Sequence, residues 1–546
     1  NYNYLDENDP AQIVSEWGFD TAKGAGTGLP AARTGPFQKG DGPGKAGQAV
    51  EWRYDEFGQP RHEIYRLTDQ GESLKLWVTR AYDAQGRLRE LRYPATGLNA
   101  TDDHPGKDRL SLRYRYDGRG YLSEVTGNED WVHWQAATID AAGTYSRFTV
   151  DDGRVVVRRE RDVATGRPAS TSARRDGEWL QQDFFRWSGA GDLVYREDRV
   201  SRKEIVFDYD ALGRLGLAEV EQAGVPTGRS ALVYDPAGNL QNDLQAGIDY
   251  RYDSDRPHAL TEVDSPTGEI IAYSYDVYGN VIEKGAERYT WTTGNRLAAI
   301  RHGAWSHSFE YGADGQVYRQ VYEGQGPTRR SVRAGADFEI EFVGDEPPVF
   351  HHRLRAAGEA FAVVSGGSSA ATESTYLFRD ALGSVVGTLQ RQGWQNVVYG
   401  LWGGRQSDLP DPFSAPDQQL GDSDGNSLRN GFTGHEHLPG TALLHLGARV
   451  LDTATGRFLS PDPVTQFPFS PLGLNRYAYA LNRPATFVDP RGLSVGDWLR
   501  DVGEKLFFGA PVFFLAGGAP GLETGRLAIG GMSLSLSVTG FRHQAG

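Results

Sequence analysis

The chain has 546 residues, enough to bury a large core. Its 57 Lys and Arg stand against 72 Asp and Glu, a formal net charge of −15. That acidic balance argues against general binding to nucleic acid or to anionic membranes. The absence of Cys excludes disulfides, thiolate zinc sites and a Cys nucleophile, and is compatible with either redox compartment.

The chain opens on Asn1 and its only Met is Met532, which points to a processed product or a fragment. Residues 1–50 are rich in Gly and Pro and read as an arm or an N-terminal shell segment. From residue 51 a unit of Tyr-Asp-x-x-Gly-x-apolar recurs. It reads "YDEFGQP" at Tyr54, "YDAQGRL" at Tyr82, "YDGRGYL" at Tyr116, "YDALGRL" at Tyr209, "YDPAGNL" at Tyr234 and "YDVYGNV" at Tyr275. Looser copies begin at Trp187, Tyr252, Trp291 and Tyr311. Asp favours the first position of a type I turn, because its carboxylate accepts local backbone N–H groups. Gly three residues later supplies the positive φ that leaves the turn, often with a bulge. Flanks such as "SLRYRYD" alternate apolar and polar residues, the period of a half-buried strand. The unit is therefore an iterated β-hairpin. One hairpin cannot bury its apolar face alone, so neighbours must continue the sheet. The irregular spacing disfavours a propeller and favours a long sheet that winds. The repeated Tyr and Asp read as scaffold.

Further on, "YLFRDALGSVVGTL", "NGFTGHEHLPGTALLHLGARVLDTATGRFLSPDP" and "LNRYAYALNRPATFVDPRGL" follow in order. Together with the repeats they make residues 51–493 resemble the Rhs or YD-repeat proteins, and residues 376–493 resemble the Rhs-repeat-associated core domain. The resemblance implies a mainly β fold. A long spiralling sheet of YD-repeat hairpins forms a hollow shell, or β-cocoon, over 51–375. The core block at 376–493 closes it, and residues 494–546 form a short, partly helical toxin or pretoxin tail.

The resemblance also implies self-cleavage of the aspartic-protease kind. Asp489 matches the Asp of the terminal Asp-Pro-x-Gly-Leu motif, Asp462 that of the upstream Ser-x-Asp-Pro motif, and Arg449 a family Arg before it. The bond implied to break joins Leu493 to Ser494. Two carboxylates sharing a small site do not both ionise easily, so one acts as acid while the other activates water. Arg449 either fixes the ionised partner or polarises the scissile carbonyl. The link "VTQFPFSPLGLNRY" is longer than the family's common pattern, which bears on loop geometry.

Partners implied are the enclosed C-terminal toxin segment, its immunity protein, and secretion spike or chaperone proteins for a type VI effector. The alternative, the C component of an insecticidal toxin complex, implies a B component. A cell-surface adhesive YD-repeat protein is a further alternative. No nucleic-acid binding by the shell, no cofactor and no metal are expected. The pair His435 and His437 in "GHEH" has metal-like spacing but no evident third ligand, and reads as scaffold, as do His302 and His307. "DSDGN" at 422–426 lacks the downstream Glu of a calcium loop. In the tail, "SVGDWLRDVGEKLF" groups Trp498, Leu499, Val502 and Leu506 on one side of a helix. Four acids balance four bases there, which gives no electrostatic case for a nuclease.

Overall fold

The computed structural model describes residues 13–19, 29–38, 47–95, 109–141, 143–324, 326–367, 372–405, 429–465, 467, 470–493, 525–529 and 532–536. Of the regions named above, "DSDGN" and the amphipathic stretch after Leu493 lie outside these residues.

The Tyr-Asp unit folds as its residues dictate. Asp55 Oδ1 accepts the N–H groups of Phe57 and Gln59, both at 2.9 Å. Asp210 does the same for Leu212 and Arg214, and Asp276 for Tyr278 and Asn280. The Gly of the unit takes positive φ, 77° at Gly58 and 78° at Gly213. The strand that leaves each turn carries one extra residue: Arg53 pairs with His62, whereas Tyr54 pairs with Pro60.

The Tyr has a task that the local sequence does not display. Its hydroxyl donates to the carbonyl of the apolar residue closing the preceding unit. Tyr82 reaches Pro60, Tyr116 reaches Leu88, Tyr234 reaches Leu215 and Tyr252 reaches Leu240. Trp291 substitutes its indole N–H, donating to Val281 at 2.7 Å, so the looser copies keep the link. Arg at the sixth position donates to Oδ2 of its own turn Asp, as in Arg87 to Asp83, and lies over the next unit's Tyr ring.

From Ile13–Phe19 to Gly393–Asn396, each strand pairs antiparallel with its neighbours in sequence, giving one 33-stranded meander. Among the described residues the first strand pairs only with Pro30–Gln38 and the last only with Val385–Gln390, so the sheet is not a closed barrel. It curls back on itself instead. Arg33 pairs with Asp314, and Asp69 receives Arg319 and Arg330. Tyr93 donates to the Arg353 carbonyl at 2.7 Å, and Gln181 to the Arg379 carbonyl at 3.0 Å. The facing layers bury one apolar cluster, including Ile340, Val125 and Phe338.

Antiparallel turns alternate between the two edges of a meander, so the Tyr-Asp turns all fall on one edge. The core block packs there. It holds four short strands, Glu436–His437, Leu443–His445, Val450–Asp452 and Arg457–Phe458, and a one-turn helix at Pro471–Leu474. Asn475 donates to Asn239, Asn482 to the Gly238 carbonyl and Tyr477 to the Gly279 carbonyl. A second apolar cluster joins this block to strands between Phe185 and Val317. In the tail the described elements are the paired strands Gly525–Ile529 and Met532–Leu536. No helix among the described residues is long and apolar enough to cross a membrane.

Candidate active site

Three chain segments converge within the core block. Arg449 precedes the strand Val450–Asp452, Asp462 lies in "SPDPV", and Asp489 starts "DPRGL". All three side chains are buried, at 4% or less of their full exposure. Arg449 Nη2 lies 3.0 Å from Asp462 Oδ2 and 3.0 Å from Asp489 Oδ2. The two carboxylate oxygens are therefore no farther apart than twice that distance.

The remaining donors fix the frame. Arg449 Nη1 donates to the Arg476 carbonyl at 3.1 Å, and the same carbonyl accepts the Asp462 N–H at 2.9 Å. Arg449 Nε donates to the Gly492 carbonyl. The guanidinium lies 3.6 Å from the Phe458 ring centroid. Burial pulls the Arg449 pKa below its ordinary value, and the Asp462 and Asp489 carboxylates oppose that pull.

Asp489 Oδ1 accepts the Leu493 N–H at 2.9 Å. Gly492 adopts φ 70°, and a Cβ there would sit 2.9 Å from the Arg449 nitrogen, so both conformation and space call for glycine. The Gly492–Leu493 peptide is thus held at its carbonyl by Arg449 and at its N–H by Asp489, while Ser494 lies outside the described residues. A small cavity with room for about one water borders Arg449, Asp462, Asn475, Arg476 and Asp489.

The "GHEH" strand has a part that the spacing reading passed over. A carbonyl only accepts, so His435 carries its proton on Nε2 and donates to Pro490 O at 3.1 Å; Thr433 Oγ1 faces Nδ1 at 2.8 Å. Burial holds His435 below its ordinary pKa, opposed by the Pro490 carbonyl and Asp489. His437 accepts the Phe432 N–H and stacks on Tyr399. Between them Glu436 points the other way, into the sheet. Arg333 grips both of its oxygens at 2.6 and 2.9 Å, and Gln320 donates at 2.9 Å. His307 is spent on Gln320, and His302 lies against Trp305. Among the described residues no group of three metal-ligating side chains gathers.

No family model matches the chain. Two curated relatives from Dickeya dadantii (strain 3937) do. Probable deoxyribonuclease RhsB is 29% identical over 444 residues, which is 77% of this chain and 23% of the relative. Probable deoxyribonuclease RhsA is 29% identical over 433 residues, 76% and 23%. These likenesses support a relationship to the Rhs/YD-repeat proteins. The chain also shares its fold with solved toxin assemblies. A Photorhabdus luminescens Tc holotoxin pore with a TccC3 variant gives a TM-score of 0.65 at 16% identity, covering 89% of this chain and 25% of that one. A TcdB2-TccC3-Cdc42 crystal structure gives 0.62 at 17%, covering 89% and 27%. The chain therefore spans about a quarter of the length of the proteins it matches.

Proposed function

We propose that this chain is wall and closing block of an Rhs toxin shell, which encloses a C-terminal effector and frees it by cutting the bond after Leu493. The observation that carries the reading is the contact of one buried guanidinium with Asp462, with Asp489 and with the Gly492 carbonyl, one residue short of that bond.

In the proposed reaction a water in the cavity adds its oxygen to the Leu493 carbonyl carbon. One carboxylate takes the water proton. The other, protonated beforehand, gives its proton to the Ser494 nitrogen as the C–N bond breaks, leaving a Leu493 carboxylic acid and a Ser494 amine, and the acid's proton then passes to the amine. The carboxylate that takes up a proton gives up its ion pair, and Arg449 stays with its partner. Arg449 and Asp489 hold the two residues before the bond, and this tethering supplies proximity for one turnover.

Release from a shell fits a protein delivered out of a bacterium, with an immunity protein in the producer and spike or chaperone partners on a type VI route. The fold likeness to TcdB2-TccC3 assemblies supports a second reading, a C component that completes its shell with a B component. The nuclease activity in the relatives' names belongs to proteins matched over 23% of their length, and is not assigned to this chain.

Intact mass measurement of wild type and Asp489→Asn tests the cleavage. Wild type should yield a fragment ending at Leu493, and the variant should stay whole. Uncut chain in both under native conditions refutes it.

A further inference from the structure

The turn before the strand Val385–Gln390 has the backbone of a Tyr-Asp unit and one departure from it. Asp380 Oδ1 accepts the N–H groups of Leu382 and Ser384, at 3.0 and 2.9 Å, and Gly383 takes φ 86°. Where "YDAQGRL" and "YDALGRL" carry Arg at the sixth position, "RDALGSV" carries Ser384. Arg87 and Arg214 spend that side chain on their own turn Asp. Ser384 gives its hydroxyl to the core block instead. It is 1% exposed and accepts the Thr433 N–H at 3.0 Å, while the Val385 N–H beside it donates to the Gly431 carbonyl at 3.1 Å.

Thr433 is held in an unfavourable backbone shape. Its φ of 47° and ψ of 24° lie in the left-handed region, which a β-branched residue rarely adopts. Such strain persists where the surroundings impose it, and it gathers at functional sites. Here the two wall contacts clamp residues 431–433, and Thr433 Oγ1 comes to 2.8 Å from His435 Nδ1. His435 Nε2 donates to the Pro490 carbonyl, so Nδ1 of the neutral ring is an acceptor and the Thr433 hydroxyl donates to it. The buried Tyr479 hydroxyl also lies beside Thr433, whose oxygen keeps lone pairs to accept from it. Three successive carbonyls before the bond are answered in this way: Pro490 by His435, Arg491 by the Ala448 N–H at 3.0 Å, and Gly492 by Arg449. A path of hydrogen bonds thus runs from a wall turn to the segment that carries Asp489.

We propose that Ser384, Thr433 and His435 are positioning residues that act as one relay, so that the cut after Leu493 waits on the finished wall turn at 380–384. The relay rests on the proposed cleavage. The wall turn seats Thr433, Thr433 fixes the tautomer of the ring, and the ring holds Pro490 and with it the Asp489 carboxylate. A chain whose wall is unfinished keeps its tail attached.

Cell-free synthesis of the full chain, stopped by a translation inhibitor, gives the rate of cutting from intact mass against time. His435→Leu and Thr433→Val should each slow it about tenfold, the worth of one hydrogen bond. His435→Gln, which offers an N–H to Pro490, and Thr433→Ser, which keeps the hydroxyl, should restore most of the rate; side chains that only fill space would not be rescued by that choice. Ser384→Ala should also slow the cut, and adding it to Thr433→Val should slow it no further. Where His435→Leu fails to fold, the isosteric Thr433→Val carries the test. Wild type that stays uncut overturns the cleavage and the relay together. Wild type that cuts, with Thr433→Val as fast, overturns the relay alone. Losses for Ser384→Ala and Thr433→Val that multiply in the double variant overturn the link to the wall.

Discussion

Replacing Glu436 with Gln isolates what holds the closing block to the wall. Glu436 is 7% exposed and its two oxygens receive three donors, two from Arg333 and one from Gln320. Burial alone would push its carboxyl up, but Arg333 and then Arg429 outweigh burial and bring it to about 2 from an ordinary 4.5. That difference converts to about 3 kcal/mol at neutral pH, in line with roughly 3–5 kcal/mol for breaking a buried pair from one side. Because the folded pKa is depressed, this contribution is full above pH 4.5 and lost as pH falls toward 2. The neighbouring pairs survive the substitution: within the wall Arg333 keeps Glu339 at 3.4 Å, and across the joint Arg429 keeps Glu339 and Glu341 at 3.1 and 2.8 Å. The loss should therefore concentrate at the joint. Native-state hydrogen exchange on the strands Leu443–His445 and Val450–Asp452 should report an opening free energy lower by about 3 kcal/mol. The rate of cleavage after Leu493 should fall with it, since His435, the residue before Glu436, holds Pro490. An exchange loss under about 1 kcal/mol, typical of an exposed ion pair, refutes the reasoning.

Gly492→Ala forces a side chain into positive φ and against Arg449, and should stop or strongly slow release of the tail, read by the same mass assay. Tyr234→Phe removes one donor to the preceding unit and should cost about 1 kcal/mol in urea unfolding. Buried His307, His352 and His445 titrate near 4 when folded against an ordinary 6.5. The unfolded chain binds the extra protons between those values. Stability is thus full above pH 6.5 and falls as pH drops toward 4. Removing one of these, as in His307→Asn, should flatten that fall by about 1.4 kcal/mol per pH unit, measured by urea midpoints across the window.

What the sequence displayed and what it hid divide along sequence separation. The turn geometry was readable because Asp, Gly and the N–H groups they serve lie within four residues. The Tyr link was not, since its acceptor lies from 12 to 28 residues back at no fixed interval. Residues 30–38 lie in the Gly- and Pro-rich stretch that reads as an arm or an N-terminal shell segment, and they pair on both sides. Pro30 begins that strand, and Pro36 falls at the register shift where no ladder N–H is needed. The core boundary expected at 376 also lies inside the sheet, which runs on to Asn396. Arg449, Asp462 and Asp489 were chosen by resemblance. That one nitrogen of Arg449 meets both acids depends on three loops meeting in space. Glu436 was hidden for the same reason, its partner Arg333 being 103 residues away.

The candidate centre also shares a local design with the repeats. In "YDPAGNL" Asp235 Oδ1 accepts the Asn239 N–H four residues on, Gly238 takes φ 86°, and Oδ2 accepts the Asn239 side chain at 2.9 Å. In "VDPRGL" Asp489 Oδ1 accepts the Leu493 N–H four residues on, Gly492 takes φ 70°, and Oδ2 accepts Arg449 at 3.0 Å. The backbone device is the same Asp-Pro-x-Gly turn. What differs is the surroundings. Asp235 is half-buried and its second oxygen is answered by its own turn. Asp489 is 2% exposed, and its second oxygen is answered by a cation that also answers Asp462. A turn that only shapes the wall elsewhere is sunk here beside a second carboxylate and a cavity. On the proposed reading, that relocation turns a scaffold aspartate into a catalyst, with no new backbone motif required.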